Sequence, residues 1–271
     1  MFSETFNALI REAQFTSEVL GAGATQIRLA NYATTGVYFQ AFTSLSTGLE
    51  RIGKLCLLVD HCIEHNGQFP TDKQMKGEIG HNIGLIYEKS QQVILKRSIV
   101  MKFLANLNDP IHLAILKVLT GFATGDRYCN INLVVGAKAG SDPVSSWFET
   151  VDIPLYAIRT SERLKKTINT NAAAIAAKFD SQVSVVHTSE TGTPLIGLAE
   201  ASRRTGVFKA VAPHRQLYVL QIIRYWGELL SCLQHTAMTC GISDIPYFSE
   251  IFAPYCNDDS YFRRRKTWTG L

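Results

Sequence analysis

Apolar residues recur at helical spacing along most of this chain, and the places where the stripe fails mark the boundaries of its elements. Phe6, Leu9, Ile10, Phe15, Val19 and Leu20 predict a helix over residues 4–20, which Gly21-Ala22-Gly23 should end. Residues 25–66 read as helical almost throughout. Each of Gly36, Gly48 and Gly53 costs about 1 kcal/mol relative to alanine in a helix interior. Either the chain breaks between Ser44 and Gly48, or the glycines admit a neighbouring backbone. Asn66-Gly67 and Pro70 close this run.

Further helices are predicted over 72–88, with Asp72 as cap, and over 90–107, where Val93, Ile94, Ile99, Val100, Phe103 and Leu104 share a side. Asn108-Asp109-Pro110 then supplies a cap and a first-turn proline for the next. Residues 124–142 lose the helical stripe and read as a loop, with one short extended piece over 131–135. A helix restarts at Ser141-Asp142-Pro143, kinks near Pro154 and includes the alanine-rich 171–177. Residues 181–194 are strand-like and then turn-like. Two helices follow, over 194–204 ended by Gly206 and over 213–239 ended by Gly241, and a short one opens at Asp244-Ile245-Pro246.

The expected fold is therefore all-α, a multi-helix bundle of about nine helices with at most one or two short strands. No solenoid repeat or linker divides it. It reads as one domain over 1–271. Two packed lobes, 1–123 and 142–256, would be joined by the loop 124–141 and followed by a basic tail, 257–271.

Composition narrows the class without naming a function. With 46% hydrophobic and 18% charged residues the chain is neither disordered nor fibrous. A net charge of +4 is too small to argue for nucleic acid by itself. No window reaches the roughly 20 apolar residues of a membrane helix, and acids stand in the first residues where a secretion signal needs a basic stretch. The expectation is a cytoplasmic protein without membrane contact, whose six scattered cysteines are reduced thiols.

Three constellations could carry chemistry. His61-Cys62-Ile63-Glu64-His65 spells the HxxEH of inverted zinc peptidases, in which two histidines one turn apart hold zinc beside a glutamate base. The apolar stripe through Ile52, Leu55, Cys56, Val59 and Cys62 instead leaves these residues on a solvated face. The required mixed α/β lobe is not predicted, and the downstream acid could only be Glu149. Zinc peptidase is the remote alternative, and no metal or cofactor is expected.

The second constellation is Glu50-Arg51-Ile52-Gly53-Lys54 on one helix and Gly80-His81-Asn82-Ile83-Gly84-Leu85 at the start of a later one. Together they resemble the HEPN superfamily of helical bundles, in which a Glu-x-x-x-Lys helix is followed by GH[DN]-x-x-[LI]. Gly125-Asp126-Arg127-Tyr128 is similar to an arginine-tyrosine turn of larger members. The likeness covers about residues 27–135. It implies binding or metal-independent cleavage of RNA in bacterial defence, toxin-antitoxin or stress systems, with homo-oligomers and a protein partner from the same system. His81 would be the base and Arg127 the phosphate clamp, with Glu50, Lys54, Asn82 and Arg224 on the substrate.

The chain departs from the nucleases of that superfamily, which carry Arg, four to six residues, then His. Here Arg204 precedes His214 by ten positions, and Arg224 precedes His235 by eleven, about 16 Å along one helix. That departure favours the runner-up, an oligomerising helical module that binds a nucleotide or a protein without cleaving. Residue chemistry alone also allows Glu50 and Lys54 to be a helix-steadying pair, His81 a cap and Arg224 a packing edge.

The third constellation is Arg263-Arg264-Arg265-Lys266 among Tyr261, Phe262 and Trp268. Such a run can neutralise phosphates and stack bases. An exposed, solvated tail is the plainer expectation.

Overall fold

The computed structural model describes residues 2–74, 80–138 and 140–270. These form eleven α-helices and no strand, the all-α bundle that the hydrophobic pattern predicts. In chain order they are α1 Glu4–Leu29, α2 Gly36–Glu64, α3 Ile83–Lys96, α4 Pro110–Thr124, α5 Cys129–Val134, α6 Pro143–Trp147, α7 Ile153–Arg159, α8 Glu162–Phe179, α9 Leu198–Thr239, α10 Phe248–Ile251 and α11 Asp259–Arg264.

Polar side chains start several of them, at Asp109 and Asp142 as the sequence suggests. Ser3, Asn82, Asp109 and Asp142 each accept a hydrogen bond from a first-turn amide, and Pro110 and Pro143 follow the two aspartates. At the other end of α2, Asn66 and Gly67 take positive φ and Gly67 N–H reaches Cys62 O, stopping the helix as expected.

Helix α9, 42 residues long, is the axis of the molecule. It packs on α1, α2, α4, α7 and α8 as well as α10 and α11, and its middle is buried all round, from Arg215 to Leu230 with only Gln221 partly open. One cluster of buried apolar side chains runs from Leu9 to Trp268.

Four sequence expectations need correction. The glycines taken as stops are close contacts inside continuous helices. Helix α1 runs through Gly21 and Gly23 because a Cβ at Gly21 would lie 2.1 Å from the Trp268 carbonyl oxygen and one at Gly23 2.7 Å from Leu45. Of the two courses the sequence left open for α2, the chain takes the second: it does not break near Gly48, where a Cβ would meet Leu20 at 2.6 Å. Helix α9 likewise passes through Gly206, seated on Ile168, and through Pro213. Burial of the following face offsets the roughly 3 kcal/mol that an interior proline costs.

The second correction concerns 72–107. Residues 80–82 form a turn, α3 starts at Ile83, and the chain leaves helical geometry after Lys96, with Ser98 at positive φ. Residues 75–79 of the predicted 72–88 helix lie outside the described residues. Third, the stretch 131–135 is not extended. It lies in α5 and its end, because a short β-branched run with no strand to pair with satisfies its backbone most easily as a helical turn. Residues 181–194 contain only an isolated bridge between Thr188 and Pro194.

Fourth, residues 257–270 are no free tail. Phe262 and Trp268 are buried, Trp268 stacks on Tyr255 with centroids 5.7 Å apart, and the Trp268 backbone N–H donates to Thr25 Oγ1 at 2.8 Å. All six cysteines are free thiols.

Near Pro154 the helix widens into a π turn over Phe148–Asp152, closed by Ile153 N–H to Phe148 O. Proline lacks the amide that an α turn needs and its ring crowds the preceding carbonyls, so the wider turn relieves both. The turn aims Asp152 inward. Its carboxylate accepts from Arg215 Nη1 at 3.0 Å, Trp147 Nε1 at 3.1 Å and Tyr38 OH at 3.3 Å. Burial raises the Asp152 carboxyl above its ordinary range, against those three donors. This buried network pins α2, the π turn and α9 together.

Candidate functional site

Helices α2 and α3 run parallel, since Glu50 meets His81, a Cβ on Gly53 would touch Ile86, and Glu64 meets Lys96. A small residue at Gly53 lets the two helices approach closely here, with the Trp226 ring alongside. Glu50, Lys54, Leu57, His61 and Glu64 follow one another at spacings of four and three, so one face of α2 carries a polar row into the groove beside α3.

At one end of that row the structure brings three sequence candidates together. His81 Nδ1 donates to Glu50, lying 3.0 and 3.1 Å from the two carboxylate oxygens, and Lys54 Nζ donates to Glu50 Oε1 at 2.7 Å. Glu50 is mostly buried while the His81 side chain is 75% exposed. A carboxylate therefore fixes one nitrogen of an imidazole whose remaining edge faces solvent. Asn82 is occupied as the cap of α3, its Oδ1 accepting from Leu85 N–H at 3.0 Å. The α3 N-terminus beside it adds partial positive charge.

Arg127 lies beyond the end of α4. It donates to Ala123 O at 2.6 Å and its guanidinium sits 5.8 Å from the Phe122 and Tyr128 ring centroids. Helix α4 reaches the start of α3 one turn earlier, where Gly84 N–H donates to Thr120 Oγ1 at 3.1 Å. Arg127 and His81 thus belong to the same end of the α3-α4 pair, without a direct contact between them.

The other candidates lie elsewhere. Arg224 is buried between the rings of Phe103 and Phe262, pairs with Asp259 at 2.9 Å and donates to Asn257 O at 2.7 Å. Its role as a substrate ligand is replaced by a structural one, because the guanidinium is buried between two rings and bound to Asp259 and Asn257, docking α11 on α9. Arg263 and Arg264 are exposed on α11, and Arg264 Nε also donates to Ser260 O.

At the far end of the polar row, Leu57, Asp60, His61, Glu64, Lys89 and Lys96 line a cleft of about 360 Å³. The His61 and His65 rings stack at 3.8 Å, and Glu64 is bound to Lys96 Nζ at 2.6 Å, which holds its carboxyl below the ordinary value. Asp60 is taken by Arg97 and Lys96. Glu149, the nominated distant acid, is exposed on the π turn. Among the described residues no three His, Cys, Asp or Glu side chains gather as a metal site. Sequence reading missed this cleft because Asp60, Lys89 and Lys96 belong to no motif, and only the parallel pairing of α2 with α3 brings them together. No helix of the described residues is long and apolar enough to cross a membrane.

No family model matches this chain, and neither curated proteins nor solved structures yield a match.

Proposed function

We propose that the protein binds RNA at the Glu50-Lys54-His81 end of the α2-α3 groove and cleaves it without a metal ion. The observation that carries this reading is the contact of His81 Nδ1 with both Glu50 oxygens on a side chain that is 75% exposed. A carboxylate in that position orients the imidazole and fixes which ring nitrogen is left to accept a proton. His81 would take the proton of a ribose 2′-hydroxyl as that oxygen bonds to the adjacent phosphorus. The bond from phosphorus to the 5′ oxygen then breaks, and the leaving oxygen takes a proton from water. Lys54, Arg127 and the partial positive charge of the α3 N-terminus would offset the charge on the phosphoryl oxygens. The products are a 2′,3′-cyclic phosphate and a 5′-hydroxyl end.

The test is incubation of the purified protein with tRNA in the presence of EDTA. Cleavage is expected, with His81→Ala lowering the rate by about 10²- to 10⁴-fold and Glu50→Gln and Arg127→Ala by less. Cleavage undiminished in His81→Ala refutes the assignment. A second reading, binding of RNA or a nucleotide without cleavage, is favoured by the missing Arg-to-His spacing and by the charge that Lys54 already places on Glu50. It predicts RNA retained in a filter assay with no product. On either reading a defence, toxin-antitoxin or stress role inside the cell, with homo-oligomers or a partner protein, is the setting proposed, and growth arrest on expression of this chain alone is its readout.

A further inference from the structure

Five large apolar side chains crowd one short segment that the bundle leaves uncovered. Tyr128, Ile131, Leu133, Val134 and Val135 are between 53% and 85% exposed, the densest such run among the described residues. They stand on α5 and its two ends, where only Cys129 is buried and Asn132 half-buried. The neck of this excursion is closed. Asp126 Oδ2 accepts from Ser141 Oγ at 2.9 Å, and a Cβ on Gly121 or Gly140 would meet the same carboxylate. The segment is thus an apolar knob held out from the molecule, and neither packing nor propensity accounts for it. Six residues are too few for an isolated helix, and Ile131 and Val134 within it are β-branched.

The same chain carries an unfilled apolar groove. Helices α3 and α4 leave a cleft of about 370 Å³ between them, walled by Tyr87, Leu113 and Leu116. The hydroxyls in it are already engaged. Tyr87 OH donates to Asn108 Oδ1 at 3.2 Å and accepts from Leu107 N–H at 2.7 Å, while Thr120 Oγ1 accepts from Gly84 N–H and donates to Leu116 O at 2.7 Å. Glu88 and Lys117, one of each sign, stand at the exposed rim. Such a lining asks its occupant for apolar surface, with no unmet hydrogen bond in the wall to satisfy.

We propose that the 128–135 knob of one copy of this chain seats in the α3-α4 groove of another. At roughly 150–250 Å² for a large side chain, the knob keeps about 600 Å² of apolar area in water, the upper end for the largest patch on a monomer. Burying most of it with a like area of the groove comes to about 1,000 Å², what a specific interface requires. A lipid surface would cover the knob and leave the groove empty, and Arg127, the cation beside Tyr128, is turned back onto Ala123 O at 2.6 Å. A second copy fills both. This pairing goes beyond the RNA reading and does not rest on it.

The test is sedimentation velocity over about 1 to 100 µM protein, on wild type, on the knob variant Leu133→Asp/Val134→Asp and on the groove variant Leu113→Glu. All three positions are exposed, so the variants should fold, as circular dichroism checks. Wild type should sediment as an assembly larger than a monomer toward the upper end, and each variant alone should associate at least about tenfold more weakly. Mixing the two variants brings an intact knob to an intact groove. A 1:1 pair should then return. A wild type monomeric throughout, association unchanged in either variant, or no pair in the mixture overturns the proposal. Flotation of a monomeric wild type with anionic vesicles, lost in the knob variant, would overturn it in favour of a membrane.

Discussion

Replacing Asp152 tests whether the buried network at the π turn organises the fold. In Asp152→Ala the Arg215 guanidinium, fully buried, loses its only carboxylate partner among the described residues, and the Trp147 indole N–H and Tyr38 hydroxyl lose an acceptor. Each neutral donor left unpaired costs about 1–3 kcal/mol, and a buried charge stripped of its partner about 3–5 kcal/mol. These costs overlap, because a water entering the vacated space can serve more than one donor. The expected loss is therefore about 3–5 kcal/mol, against the 5–15 kcal/mol typical of a whole domain. Asp152→Asn keeps an acceptor and should lose about half as much. Arg215→Met/Asp152→Leu removes both charges but still leaves Trp147 and Tyr38 without their acceptor, so it should recover only part of the loss and stay about 1–3 kcal/mol below wild type. Urea unfolding followed by far-UV circular dichroism measures all three, provided the slopes agree. A loss below about 1 kcal/mol in Asp152→Ala, or a double variant no more stable than the alanine single, would refute the reasoning.

Three further outcomes follow from the packing. Gly53→Ala puts a methyl 2.3 Å from Ile86 Cγ2, so overpacking of about 1–3 kcal/mol should exceed the gain in helix propensity of about 1 kcal/mol; Gly36→Ala, with nothing within 4 Å, should be neutral or stabilising by the same thermal-melt comparison. Trp268→Ala empties the site between Tyr255 and Phe262, and limited trypsin digestion should cut the arginines at 263–265 at least tenfold faster; an unchanged rate would mean that the segment is held by other contacts. His112 is pushed below its ordinary value chiefly by burial, so the unfolded chain takes up its proton first and stability is lost as pH falls below about 6.5, by at most 1.4 kcal/mol per pH unit for this group. His112→Gln should flatten that part of the stability curve relative to wild type, and identical curves would remove the imidazole from the balance.

The sequence by itself determined the helical class, and much of where helices begin. Apolar spacing is a local property, and so is a cap such as Asp109 or Asp142, whose side chain bonds an amide two residues away. The pairing of Glu50 with Lys54 could be read in the same way, one helical turn apart. What only the tertiary structure decided is the meaning of Gly21, Gly23, Gly48 and Gly206. A glycine that ends a helix and one that admits a neighbour look identical in sequence, and the difference lies in Trp268, Leu45, Leu20 and Ile168, each distant in the chain. The same holds for charge. Arg224 and Arg263 both read as cations that could meet a phosphate, yet one is enclosed by Phe103, Phe262 and Asp259 and the other is exposed on α11. Solvent access and counter-charge are set by residues that approach only when the chain has folded, so no local pattern could carry them.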